Sequence, residues 1–269
     1  MSDSQPSRVF MFDGDDPEMA RACETARQNF RYFWRELSWE RRRIIPGLNA
    51  AAVKAPFTDG NSTPSAGDHP EVEHMWFSEV DFDGRQVSGD LLNAPNWLKK
   101  VKQGDHVRIP LSQIGDWMYV INGEVFGAYT VNLLRSRMDA RERREHDAAW
   151  GLNFGDPSKI RVAPEPKGGG LLKSWFGKKQ PVTDEHPMSE NMAPVLRTTL
   201  AQDPSMLHSP DDNGWTLLHH QAAAGSMATV KILLEAGADR TAKTQLGFTP
   251  RQLAEILGWD KIVALLAEK

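Results

Sequence analysis

The feature that most constrains this chain is a self-similarity near its C-terminus. The stretch NGWTLLHHQAAAGSMATVKILLEAGAD is followed by LGFTPRQLAEILGWDKIVALLAEK, and the two pieces superpose without a gap. Gly214 recurs as Gly247, Thr216 as Thr249, Ala222 as Glu255, Gly225 as Gly258, Val230 as Val263 and Leu233 as Leu266, each 33 residues on. A fixed period of this kind marks one supersecondary unit, which cannot bury its apolar face alone and must stack on a neighbour. In each unit a Gly opens a turn, the Thr caps a first helix and small residues let a second helix approach. A further Gly separates the two helices, Val and Leu face the next unit, and Gly237 of GAD ends the second helix.

The spacing and residue types resemble the ankyrin motif G-x-T-P-L-H-x-A-A-x-x-G. Leu217 stands where the motif has Pro, Gln221 where it has its first Ala, and Gln252 where the second repeat would carry His. The frame extends backward, because Leu200 lies one period before Leu233, so a capping half-repeat is expected ahead of the first full one. About two and a half repeats result, fewer than the three or more that usually make such an array stable. The array is therefore expected to lean on the rest of the chain. The resemblance gives His219 a local hydrogen-bonding role, which disfavours reading His219 and His220 as metal ligands.

Upstream the texture is different. Asp16-Pro17-Glu18 is a helix start, and Ala22, Ala26, Phe30, Phe33, Trp34 and Leu37 then recur at helical spacing, predicting one amphipathic helix to about Trp39. The RRR at 41–43 reads as a solvated helix end. AAVKAPF reads as a strand and TDGNSTPSAGDHP as an exposed loop. EHMWFSEVDF-DG-RQVSGDLL reads as a hairpin, and GDHVRIPLSQIGDWMYVINGEVFGAYTV as two or three more strands with NG as a second hairpin turn. MDARERREHDAAWG returns to helix. The fold class is α+β, a largely antiparallel sheet with flanking helices followed by a short all-α repeat module. The expected division is a first domain over 14–157, a Pro/Gly/Lys-rich linker over 158–190 and the repeats over 191–269. Within the linker, Leu171, Leu172, Trp175 and Phe176 are expected to pack on the protein itself.

The composition narrows the function classes. Across 269 residues, a net charge of −4 gives no general grip on phosphate backbones, so nucleic acid is not an expected partner. Cys23, the one cysteine, is expected to be a packed side chain and excludes a disulfide or a cysteine metal cage. No run of 18 apolar residues and no leader pattern occurs, which predicts a cytoplasmic protein without a membrane partner. No Gly-rich phosphate loop follows a strand, no nucleophile elbow is present, and no cofactor is expected.

The blocks VKAPF, EHMWF, GDLLNAP, QGDHVRIPLSQIGDWMYV, GAYTVNLL and HDAAWGLNFGDP, in this order, resemble a bacterial family of unknown function typified by the small YegJ protein. The resemblance covers roughly residues 14–157 and implies a domain without implying a reaction. In EVEHMWFSEV, strict alternation puts Glu73, Met75, Phe77 and Glu79 on one face and His74, Trp76, Ser78 and Val80 on the other. An enzyme reading would gather Glu73, His74 and Asp116 as general acid and base or as metal ligands, with His69 and Glu71 nearby. The spacing fits no zinc template, and no metal is expected. The same polar groups can instead fix how the sheet meets its helices. They can also join Trp76, Trp117, Trp215 and Trp259 in a partner-binding surface. Ankyrin arrays act by binding, so the resemblance implies a bacterial cytosolic interaction protein, either an immunity or adaptor protein facing a toxin or effector or a housekeeping scaffold.

Overall fold

A computed structural model describes residues 16–60, 72–165 and 184–267. His69, Glu71, the Gly168–Gly170 run, the segment 171–176 and most of the loop expected over 58–70 lie outside the described residues. Helices α1 (Pro17–Gln28) and α2 (Phe30–Glu40) come first. Strands β1 (Ala50–Phe57), β2 (Glu73–Phe82), β3 (Gln86–Leu91), β4 (His106–Pro110), β5 (Asp116–Ile121) and β6 (Glu124–Gly127) follow. They form one antiparallel sheet in the order β4-β3-β2-β1-β5-β6. Helices α3 (Tyr129–Arg137) and α4 (Ala140–Trp150) complete this part.

The single helix expected over 17–39 is two helices. The Asn29 backbone (φ −103°, ψ 5°) is not helical, and its side chain donates back to Thr25 O at 2.9 Å. The Ala26 carbonyl, which would continue the helical ladder, accepts the Trp117 indole N–H at 2.7 Å. Asn competes with helical hydrogen bonding in this way, and here a tertiary bond completes the break. Past the helices, the arginines 41–43 are pinned as well as solvated. Arg41 pairs with Asp81 at 3.0 Å, Arg42 lies over the Trp39 ring and Arg43 pairs with Glu40.

Period-2 alternation sends Val53, Ala55, Met75, Phe77, Trp117 and Tyr119 to one face of the sheet, where they are all fully buried. Phe33 packs on Trp117 with centroids 5.8 Å apart, and Phe30 and Trp34 meet Phe82 edge-on. Strict alternation fails after Ser78. The register with β3 shifts between Ser78 and Asp81, and Glu79 takes a left-handed φ of 51°. This bulge returns Val80 to the core face, where it and Phe82 are buried while Glu79 stays exposed. Asn122 and Gly123, both at positive φ, make the expected β5–β6 hairpin turn.

Helices α5 (Pro187–Gln202), α6 (Leu217–Ala223), α7 (Met227–Glu235), α8 (Pro250–Leu257) and α9 (Asp260–Ala267) build the repeat module. Its buried residues share one continuous apolar cluster with the sheet and α2. Tyr32 of α2 meets Trp259 edge-on at 5.9 Å, and Arg31 donates to Gly258 O at 2.6 Å. At the β2–β3 turn, Gly84 (φ 98°) lies so close to Phe248 and Leu253 that an added Cβ would come within 2.9 and 2.7 Å of them.

Residues Asp184–His186 stitch the two parts together. The Tyr32 hydroxyl donates to Asp184 at 3.3 Å, and Lys261 pairs with the same carboxylate. Glu185 accepts the Met227 and Ala228 N–H groups, capping α7. His186 stacks on Trp39, and its Nδ1 accepts the Met188 N–H. The ring proton is therefore on Nε2, which faces Glu36 Oε2 at 3.2 Å. Arg35 binds the other oxygen of Glu36 at 2.9 Å. Burial alone would raise the Glu36 carboxyl, but His186 and Arg35 hold it below its ordinary value of 4.5.

Two outcomes are expected. Glu79→Gly removes the strain of a left-handed non-glycine residue and raises stability by about 0.5–1 kcal/mol, seen as a higher urea midpoint. Glu36 contributes stability that is fully present above pH 4.5 and is lost as the pH falls through its depressed folded value. Glu36→Gln should therefore give a shallower decline of the unfolding free energy below pH 4.5 than the parent shows.

Candidate functional site

The sheet register aligns three side chains in one row. Lys54 on β1 faces Trp76 on β2 and Asp116 on β5, on the side opposite Trp117 and the main core. Asp116 is fully buried. Its carboxylate accepts the N–H groups of Trp117 at 2.9 Å, Tyr129 at 2.9 Å and Thr130 at 2.8 Å, so it caps α3. The Thr130 hydroxyl donates to Asp116 at 2.5 Å and accepts from Lys54 Nζ at 2.5 Å. The same ammonium lies 5.5 Å from the centre of the Trp76 ring. A small second core covers the rest of this face, with Met118, Val120, Val125, Ala128, Val131 and Phe154 packed against Trp76.

Gly115, at the start of β5, borders the row. A Cβ placed there would sit 3.6 Å from His74 Nδ1, 3.6 Å from the Lys54 backbone O and 3.9 Å from Cys23 Sγ, so His74 and Cys23 pack against this position at ordinary contact distance. Burial pushes the Lys54 amine down and the Asp116 carboxyl up, each shift opposed by the charge of the other. Burial also raises the Cys23 thiol. Desolvation of the ring, followed by the Lys54 charge, lowers the His74 imidazole to about 4, although the residue as a whole is exposed. His74 is therefore neutral at physiological pH.

The proposed trio of Glu73, His74 and Asp116 is only partly assembled. His74 and Asp116 share a face, and Glu73 lies on the other, buried, accepting the Asn96 N–H at 2.9 Å and its side-chain amide at 2.6 Å. Glu73 thus anchors the loop that follows β3. Lys54 and Thr130 were not singled out by the sequence reading. The available signal was a lysine set among apolar residues in VKAPF, since an unpaired charge is rarely buried. Among the described residues no three His, Cys, Asp or Glu side chains gather as metal ligands.

The four tryptophans do not form one surface. Trp117 has no exposure, Trp215 and Trp259 are buried, and Trp76 is half-buried. Trp259 donates to Ala223 O at 2.9 Å and lies against Gly225, so it locks the first repeat to the second. In the first repeat His219 Nδ1 accepts the Thr216 N–H at 3.1 Å, and Nε2 faces the Ala242 and Phe248 carbonyls, both at 3.1 Å. The imidazole thus ties the helix cap to the loop of the next repeat. Gln252 in the second repeat makes only the near contact, accepting the Thr249 N–H at 2.9 Å. The loops before α6 and α8 are braced side by side, with Gln245 donating to Asn213 O and Asp212 O, and Leu246 projects from them at 56% exposure. Asp116→Ala would leave three buried backbone N–H groups without an acceptor, so a loss of about 3 kcal/mol or more is expected in urea unfolding.

Comparison with known proteins assigns both parts. A family described as an uncharacterized protein conserved in bacteria, DUF2314, matches residues 16–154, and the ankyrin repeat matches residues 213–245. A protein of Neisseria meningitidis serogroup B named for its ankyrin repeats is 40% identical over 261 residues, covering 97% of both chains. YegJ of Escherichia coli K12 is 32% identical over 83 residues, 31% of this chain and 48% of YegJ. The human NAD-capped RNA hydrolase NUDT12 is 34% identical over 91 residues, 34% of this chain and 20% of that protein. No helix among the described residues is long and apolar enough to cross a membrane. The antiparallel sheet with its flanking helices thus belongs to the bacterial DUF2314 family, and in this chain it is joined to a C-terminal ankyrin repeat.

Proposed function

We propose that this chain is a cytosolic bacterial binding protein, an adaptor or immunity protein that holds a toxin or effector by the loop tips of its ankyrin module. Ankyrin repeats support a protein-interaction role, and a net charge of −4 favours a protein over a nucleic acid as partner. The observation that carries the reading is where the module is open and where it is not. Its first helices, α6 and α8, face α2 and the Gly84 turn, so this side is filled by the chain's own sheet domain. The paired tips Asp212–Asn213 and Gln245–Leu246 remain exposed, rigidly braced, with an apolar anchor between polar neighbours. A rigid apolar anchor with a polar rim is the form that concentrates binding energy.

The test is co-expression with the products of the adjacent genes, followed by size-exclusion chromatography of the tagged chain. A stoichiometric complex is expected, and Leu246→Arg should weaken it at least tenfold, the loss typical of one buried anchor. Arg141→Ala on the exposed face of α4 should leave it unchanged. Recovery of no neighbouring gene product, or a complex indifferent to Leu246→Arg, counts against the reading.

A further inference from the structure

Where the two parts of the chain meet, an open cleft carries a positive charge that no carboxylate among the described residues balances. The cleft encloses about 440 Å³ and lies where α1 meets α2, lined also by Leu111 just after β4 and by the end of α8. Exposed Gln28, Glu255 and Ile256 stand on it, so water and small solutes reach it. Clefts of this size are those that take small molecules. Its charged lining residues are Arg27, Arg31 and Glu255. Arg27 pairs with Glu24 at 2.8 Å, and Glu255 pairs with Arg251 at 2.8 Å. Arg31 is the exception. Its guanidinium lies over the Tyr32 and Trp259 rings, 5.1 and 5.5 Å from their centres, and makes one hydrogen bond, from Nη1 to Gly258 O at 2.6 Å. Its Nε is buried with no acceptor, and the first turn of α2 holds no acid that could serve it. Most N–H donors of the group are therefore unused.

We propose that this cleft binds a small organic acid with one carboxylate and a short apolar tail, the carboxylate on Arg31 and the tail against Leu111 and Ile256. The unbalanced charge of Arg31 matches a single negative charge, and the planar guanidinium fork fits a carboxylate. The Glu255 carboxylate on the same cleft repels a dianion, which disfavours phosphate. Rings behind the guanidinium and a partly apolar wall keep water from screening the pair fully, so it contributes more than an ion pair at the surface would. Arg31 belongs to α2 and is already bonded to the end of α8, so the bound acid touches the sheet domain and the repeat module together.

The test is isothermal titration calorimetry of the full chain at pH 7 and low salt with 3-phenylpropionate. Its neutral amide, inorganic phosphate and an acetylated dipeptide with a free C-terminus serve as comparisons. Saturable one-to-one binding of the acid is expected, with the amide at least tenfold weaker because it lacks the charge. Phosphate and the dipeptide should bind more weakly than the acid. Arg31→Met should weaken the acid at least tenfold, with thermal melting as the check on folding. Ile256→Glu leaves every contact of Arg31 in place and sets a second negative charge on the cleft at an exposed position. It should weaken the acid by a similar factor and decides the matter should Arg31→Met unfold the chain. No saturable binding of the acid, equal affinity for acid and amide, or an acid affinity unchanged by Ile256→Glu would overturn the proposal. Tighter binding of phosphate or of the dipeptide would overturn it as well, by assigning the cleft to a phosphate group or to a protein terminus.

Discussion

Everything in this molecule rests on the burial of α2 from two sides. One side of the helix gives Phe30, Phe33 and Trp34 to the sheet, and the other gives Tyr32 to the repeats while Trp39 stacks on His186. A helix enclosed all round is normally apolar all round. This one carries Arg35 and Glu36 into the interior, where Arg35 donates to Glu36 and to the Asp184 carbonyl and His186 faces the other Glu36 oxygen. Removing one partner of such a buried set leaves a charge unpaired, which costs more than the set contributes when whole. The ion pair therefore fixes the docking of the two parts more than it adds to stability.

A short ankyrin array has too few interfaces to stand on its own. Here the missing interface is supplied from within the chain, by α2 against α6 and by the hairpin turn at Gly84 against Phe248 and Leu253. The helical cap α5 and the Glu185 cap on α7 close the first end of the array. Trp259 then acts as a wedge between repeats, reaching Ala223 with its indole N–H and Tyr32 with its ring edge.

Much of this was legible in the sequence because the repeat period, the hairpin turns and the Asp16 and Thr249 caps are local signals. What stayed hidden depends on long-range contacts. The break at Asn29 needs the Trp117 indole from far along the chain, and the bulge at Glu79 needs the register of β3. Period-2 alternation separated Glu73 from His74 correctly but could not show that Lys54 joins Trp76 and Asp116 in one row, because row membership is set by pairing across three strands. The tryptophans illustrate the same limit. Abundance alone cannot say whether an indole is an anchor for a partner or a wedge within the chain, and three of the four turned inward.

The two-sided burial of α2 also divides its residues by what they would lose. Without the repeat module, the side of α2 that carries Tyr32 would give up the packing that keeps it dry here. Phe30, Phe33 and Trp34 would stay held by the sheet. One face of this helix thus serves the sheet domain by itself, and the other serves only the joined protein.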